Sequence, residues 1–331
     1  MTEKALSISV AAYNVEDTLA RCLDSCVDER ILDELEVIVV IDGATDGSAA
    51  IARTYEERWP GTFRVVEKEN GGYGSTVNTS MRLATGRYFR LLDGDDWLDR
   101  EGLYELVTFC REGHADAVWC DRVEERPEGP ITHEHASGFP VKREIRDSRL
   151  LGLLSPGMWF MTFNSCIMKE HPFELPEHCL YTDTLFATFH LPWVESVVRL
   201  EKPLYHYFVG QNDGQSTSLR SVLTHVDDYY NVWNRALDFI LHNCGEDHLT
   251  PLVLKRLLSS YNNVYQRTLM LPPARENKGR LAGLEADLAK RSPRVHRYVG
   301  SNIRAIKFMR ATRGLAYLPL CAYRHMRPYG M

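Results

Sequence analysis

Apolar positions in the first 120 residues alternate between two periods. LSISVAAY (6–13), LEVIVVIDG (35–43), FRVVEKE (63–69) and RYFRLLDGDD (87–96) are rich in β-branched and aromatic side chains, and the near-continuous apolar runs among them fit strands covered on both faces. Between them, VEDTLARCLDSCVDE, DGSAAIARTYEERW, GSTVNTSMRLAT and the stretch from Asp99 to Glu112 space their apolar residues three and four apart, the helical period. ADAVWCDRVEE (115–125) reads as one further strand. Strand, helix, strand in this order requires right-handed crossovers, so the pattern predicts an α/β, Rossmann-like fold with a mostly parallel sheet and flanking helices. Residues 125–150 lose the periodicity and gain proline and charge, which predicts a long surface excursion. From Leu219 onward the apolar spacing is helical. The expected division is therefore a nucleotide-binding and catalytic domain over 1–218 and a helical region over 219–331.

In a parallel sheet, ligands bind beyond the carboxyl ends of the strands. Those ends carry Tyr13 and Asn14, Asp42 and Gly43, Lys68 to Gly72, and Asp93 to Asp96. The last group is the most unusual: RLLDGDDWLD (90–99) sets Asp93, Asp95 and Asp96 directly after an apolar run. Desolvated carboxylates this close repel one another unless a cation lies between them. Two common ways of holding a diphosphate are missing. The first strand turns into its helix through AAYNVED, without the glycines of a dinucleotide fingerprint, and NGGYGST (70–76) lacks the GK[ST] of a phosphate-binding loop. A diphosphate then needs another counter-charge, and Mg²⁺ or Mn²⁺ held by one or two carboxylates supplies it. Asp96 or Asp99 also fits the amino cap of the next helix.

Composition narrows the class further. With 44% hydrophobic and 25% charged residues the chain reads as a globular protein, and no basic leader or long apolar span interrupts it, so a cytoplasmic location is expected. The eight cysteines include no CxxC pair, which argues against a zinc site or a disulfide framework. Charge is uneven: 290–331 holds ten Lys and Arg and no acid, so against an overall −6 the remainder carries −16. Mixed with Phe, Met, Leu and Tyr, this basic tail fits either an anionic membrane surface or the acidic body of the chain. No nucleic-acid recognition module is visible.

SISVAAYNVEDTLARCLDS, VIVVIDGATDGSAAIA, KENGGYGSTVNTSMRLATGRYFRLLDGDDWLD and FELPEHCLYTDTLFATF, in this order and spacing, resemble a family 2 inverting glycosyltransferase with the GT-A fold, of the bacterial surface-polysaccharide type. The likeness covers 6 to about 216. It implies a metal-dependent (Mn²⁺ or Mg²⁺) transfer of a sugar from a nucleotide diphosphate donor, expected to be a UDP-sugar, to a saccharide or lipid-linked saccharide acceptor. It also implies that Tyr13 and Asp42 hold the base, Asp42 by accepting from it. The loop of Asn70, Gly71 and Gly72 lines the nucleotide pocket, Asp93 contacts the ribose side and joins the metal site, Asp95 ligates the metal, and Asp96 supports the donor sugar or the metal shell. Asp183 matches the general base, with Thr182 where the family usually has Glu, and Glu177 is the alternative base. Asp46 is expected to cap the second helix, and His206 to pack within a strand. Trp159, Phe160, Phe163 and Asn164 are candidates for the acceptor pocket, and 211–218 for a closing loop. Two other readings remain at this stage: a sugar nucleotidyltransferase, disfavoured by AAYNVED, and a non-catalytic nucleotide-sugar-binding protein, to which Thr182 lends some support.

Overall fold

The structure, a computed structural model, describes residues 4–133, 139–154, 156–209 and 219–326. The chain divides into two compact units, Met1–Gln211 and Asn212–Met331. The first unit opens with β1 (Leu6–Ala12), α1 (Glu16–Asp24), β2 (Leu35–Asp42), α2 (Ser48–Arg58), β3 (Phe63–Lys68), α3 (Tyr73–Leu83) and β4 (Tyr88–Asp93). It continues through β5 (Trp97–Leu98), α4 (Arg100–Glu112), β6 (Ala117–Trp119), β7 (Arg122–Glu125), β8 (Ile131–His133), β9 (Glu144–Ile145) and α5 (Ser148–Leu151). It ends with β10 (Met161–Asn164), α6 (Ser165–Glu170), α7 (Asp183–His190), β11 (Val197–Arg199) and β12 (Tyr205–Phe208).

Eight strands form one sheet in the order β3-β2-β1-β4-β10-β6-β11-β9. The first four pair in parallel, as the repeated strand and helix periods require. Every residue of β2 is buried, which explains why LEVIVVID lacks the polar alternation of a half-exposed strand. The order reverses between β1 and β4, so the chain opens a crevice at their carboxyl ends, where Ala11 lies opposite Asp93.

Three features depart from the sequence expectation. An antiparallel strand, β10, sits between β4 and β6. ADAVWCDRVEE is two strands, because the chain leaves the main sheet at Cys120 and Asp121: Asp121 accepts from Leu204 N at 3.0 Å and pairs with Arg199 at 2.6 Å. β7 then joins a second sheet, β5-β12-β7-β8. The expected excursion over 125–150 contains β8, β9 and α5 among its described residues.

The second unit contains α8 (Leu219–Thr224), α9 (Val226–Phe239), α10 (Pro251–Met270), α11 (Arg275–Arg291), α12 (Pro293–Asn302), α13 (Arg304–Ala311) and α14 (Tyr317–Met326). The buried α10 is its axis, with the Tyr261 ring edge-on to Trp233 of α9 at 4.9 Å. No helix among the described residues is long and apolar enough to cross a membrane.

The turn from α3 into β4 passes hard against β1. A Cβ on Gly86 would lie 2.4 Å from Ser7 N and 2.7 Å from Leu6 C, and backbone at the sheet centre cannot yield. Gly86→Ala is expected to cost roughly 2–3 kcal/mol of stability, read by urea denaturation, whereas Gly279→Ala, with open space around its Cβ and a mid-helix position, should be neutral or stabilising.

Candidate active site

β4 ends at Asp93 because the backbone turns there, with Asp96 N donating to Asp93 O at 3.1 Å. One ligand oxygen from each of Asp93, Asp95 and Asp96 lies within 4.8 Å of the others. Protein donors hold this cluster together. The Tyr205 hydroxyl donates to Asp96 Oδ2 at 2.6 Å and accepts from Asp93 N at 3.2 Å, while Phe208 N donates to Asp96 Oδ1 at 2.7 Å. Asp96 is fully buried with both oxygens engaged, so of its two expected roles the structure favours the inner support of the cluster over direct contact with a sugar. Asp99, and not Asp96, caps the following helix by accepting from Gly102 N at 2.8 Å.

Arg21 steadies the outer side. Its guanidinium lies 3.9 Å from the centre of the Trp97 ring and donates to the Asp95 carbonyl at 2.9 Å. Trp97 in turn stacks on His206, whose Nδ1 meets Glu125 Oε1 at 2.8 Å, so His206 is packed in its strand. The second sheet thus grips the turn that carries the acids.

Burial and repulsion from Asp95 push the Asp93 carboxyl up to about 8, while a hydrogen bond from Tyr73 pulls it partly back. Burial also raises Asp95 and Asp96, the latter with repulsion from Asp93 and Asp95 added. The Asp93 Oδ1 atom is buried and has no hydrogen-bond partner. An orphaned carboxylate oxygen beside two further carboxylates fits a hard divalent cation such as Mg²⁺ or Mn²⁺, which takes oxygen ligands. Asp93 and Asp95 are the residues that would hold it.

Asp42 ends β2 and is almost wholly buried. Its Oδ1 accepts from Lys68 Nζ and Gly71 N, each at 2.9 Å, and from Ser75 Oγ at 3.3 Å, while Oδ2 accepts from Gly72 N at 2.8 Å. Asn70 Nδ2 donates to the Asp42 carbonyl at 2.9 Å. Asp42 thus organises the loop of Asn70, Gly71 and Gly72, and of its two oxygens Oδ2, with a single donor, is the one on which the expected hydrogen bond from a base would fall. Tyr13, by contrast, directly follows β1 and is 55% exposed. Asp46 lies one residue before the cap position, Gly47; it accepts from Ser48 N, the first amide of α2, and from Glu16 N, each at 3.0 Å, and so covers the helix start and ties the first two strand-to-helix turns together.

The loop is joined to the segment that carries Asp183. His178 N donates to Gly71 O at 2.7 Å, and the Asn78 side chain makes paired bonds to Leu175, at 2.9 Å to its O and 2.8 Å from its N. A Cβ on Gly74 would lie 2.2 Å from Pro176 O, so only glycine permits this contact. Asp183 opens α7 behind the buried Thr182, and the helix amino terminus favours its negative charge. Its carboxylate is near enough to Asp93 and Tyr73 to raise both. Glu177 is exposed.

Of the acceptor-pocket candidates, Phe160 stacks on Trp119 at 5.1 Å, Phe163 lies in the core, and Asn164 caps α6. Trp159 is only partly buried, and its carbonyl accepts from the buried Arg90 at 2.5 Å. Residues 211–218 lie outside those described. Sequence reasoning missed Arg21, Asn78, Arg90 and Tyr205, each of which reads as an ordinary helix or strand residue until its partner is known. Tyr73 lay in the quoted glycine-rich loop and was the one legible signal.

The profile of the family described as Glycosyl transferase family 2 matches residues 7–173. A poly(ribitol-phosphate) beta-glucosyltransferase from Bacillus spizizenii is 24% identical over 228 residues, 66% of this chain and 34% of that protein. The chain spans 34% to 61% of the length of the first curated relatives it matches. Residues 1–349 of S. aureus TarS, in a complex with UDP-GlcNAc, superpose with a TM-score of 0.73 at 19% identity, covering 98% of this chain and 92% of that one. The mannosyltransferase PcManGT from Pyrobaculum calidifontis, with GDP-Man and Mn²⁺, superposes with a TM-score of 0.54 at 17% identity, covering 100% and 89%. At these identities the superpositions establish the fold, GT-A, and nothing finer.

A raised carboxyl ties stability to pH. An Asp whose folded value is about 8 against an ordinary 3.8 contributes stability that is present below about 4 and lost as pH climbs to about 8. In metal-free protein, the melting temperature of the wild type should therefore fall relative to Asp93→Asn as pH rises through this window. A constant difference between the two melting curves would show that Asp93 titrates normally.

Proposed function

The chain belongs to glycosyl transferase family 2, and from that premise we propose that it is a metal-dependent inverting glycosyltransferase using a UDP-sugar donor and a saccharide or lipid-linked saccharide acceptor. Synthesis of a bacterial surface polymer is the setting, and the cytoplasmic face of the membrane is the place of action. The observation that carries this reading is the buried acid cluster at the end of β4, with Asp93 Oδ1 unpartnered and Asp183 beside it. The match to TarS with UDP-GlcNAc, higher than that to PcManGT with GDP-Man and Mn²⁺, supports uridine over guanosine, and the second match supports Mn²⁺. The Bacillus spizizenii relative, named for poly(ribitol-phosphate), supports a surface polymer.

In this reading the exposed Tyr13 ring packs on the base, and the loop of Asn70, Gly71 and Gly72, shaped by Asp42, lines the nucleotide pocket. Asp93 and Asp95 hold the cation and Asp96 fixes their geometry, with Asp93 also facing the ribose side. A divalent ion bound there supplies counter-charge for the departing diphosphate. Asp183 accepts the proton of an acceptor hydroxyl as that oxygen bonds to the anomeric carbon and the bond to the diphosphate oxygen breaks. Attack from the face opposite the nucleotide inverts configuration in one displacement. A carboxylate is a weak base toward a free alcohol, so Asp183 works as bond formation acidifies the hydroxyl.

Calorimetric titration with UDP, with and without Mn²⁺, tests the donor site. Tight binding is expected only with the metal, and Asp95→Ala should abolish the metal-dependent part; equal affinity under both conditions would remove the cation from the site. Asp183→Asn should bind UDP as the wild type does yet transfer sugar slower by on the order of 10²–10⁴-fold. Transfer at the wild-type rate would exclude Asp183 as the base.

A further inference from the structure

The last helices of the second unit are amphipathic in an unusual sense: α14 turns an apolar side outward. Its inner side is fixed, since Tyr317 and Cys321 are buried and the Tyr317 hydroxyl donates to Ala274 O at 3.2 Å. α13 is anchored as firmly. Ile306 is buried, Arg310 Nε donates to Glu285 Oε2 at 2.6 Å, and Arg310 Nη1 donates to His296 O at 3.1 Å. The outward side chains are therefore those the packing leaves over. They are Leu318, Ala322 and Met326 on α14, with Leu315 in the turn before it, and Phe308 on α13. Leu315 is 81% exposed, Met326 75% and Leu318 61%. Single exposed apolar residues need no explanation, but this series recurs at the helical period.

Charge identifies the occupant. Arg304, Lys307 and Arg313 are exposed in the same stretch, and no Asp or Glu occurs from 293 to 326. A second copy docking through the same surface would set cation against cation. A saccharide would leave the leucines and methionine in water. An anionic bilayer satisfies both demands, taking the apolar side chains into the acyl boundary while its headgroups neutralise the cations.

We infer that the outward side of α13 and α14 is the surface by which this protein docks, without spanning, on an anionic lipid bilayer. Membrane action in the proposed function gives the docking its purpose, but the surface stands on its own residues and is tested without any sugar transfer. Long apolar side chains and three cations acting together also explain why neither set alone would suffice: a single weak lipid anchor is readily reversible.

The test is co-sedimentation of the full chain with vesicles of phosphatidylglycerol and phosphatidylcholine, and with phosphatidylcholine alone. The wild type should pellet with the anionic vesicles only, and less so at high salt. Arg304→Glu combined with Lys307→Glu and Arg313→Glu should weaken partitioning by on the order of a hundredfold or more. Leu315→Ser with Leu318→Ser and Met326→Ser should release the protein comparably; all six positions are exposed, so folding should persist, checked by unchanged melting temperature. Metal-dependent UDP affinity, measured in parallel, reports on the catalytic reading and should be equal in all three proteins. Failure of the wild type to pellet, or equal pelleting by the variants, overturns the docking surface while leaving the UDP result to judge the enzyme. Sedimentation of the wild type as a dimer that the serine variants dissociate would overturn it too, by assigning the surface to a second copy.

Discussion

Three carboxylates brought together out of water repel one another, and much of the first unit answers that repulsion. Burial, joined at Asp93 and Asp96 by repulsion from their neighbours, raises all three carboxyls above the ordinary range, so the charged cluster is costly by itself. The turn persists because donors on other elements pin it. Tyr205 and Phe208 come from β12, Arg21 from α1 and Tyr73 from α3. The second sheet, which adds little apolar core of its own, has a clear purpose on this view: it brings β12 up to the acids. A site that remains strained without a cation and relaxes with one gains affinity for that cation from the fold itself.

The same logic of a charge fixed by backbone donors recurs at Asp42. Gly71 N and Gly72 N both point at its carboxylate, so the glycine-rich loop is wrapped around an anion belonging to the protein. With those two amides engaged, they are not available to a phosphate, in keeping with the proposed place of the diphosphate at the acid cluster. Through His178, Asn78 and Pro176 the loop also sets the path of the chain into α7. In the proposed mechanism, donor side and base side would therefore not be independent, since Asn78 and Gly74 hold the segment that leads to Asp183.

How much of this was legible in the sequence follows from the range of the forces involved. The parallel half was legible because burial on both faces writes itself into consecutive residues, as in LEVIVVID, and the acids were legible because repulsion among neighbours is a local anomaly. What stayed hidden depends on partners distant in sequence. β10 inserts antiparallel between β4 and β6 through only a few residue pairs, too short for any period. Asp42 looked like a free acceptor because its donors, Lys68 to Ser75, are recruited only when the strands align. Arg90 shows nothing of its partners in the sequence; its guanidinium meets Thr162 Oγ1 at 3.0 Å and the Trp159 carbonyl, both about seventy residues away.

The basic tail illustrates a further limit. Its sequence shows cations mixed with large apolar residues, and periodicity shows that these segregate around a helix, yet periodicity is silent on which side faces inward. On composition alone, an inner side built on Leu318 and Met326 would be as acceptable as one built on Tyr317 and Cys321. The structure takes the second, with Tyr317 and Cys321 buried and the Tyr317 hydroxyl donating to the Ala274 carbonyl. The side of α14 left outward is therefore the one that carries Leu318 and Met326. The cost of leaving those side chains in water, about 25 cal/mol per Å² of apolar area, is one that a bilayer removes and a solvated helix does not.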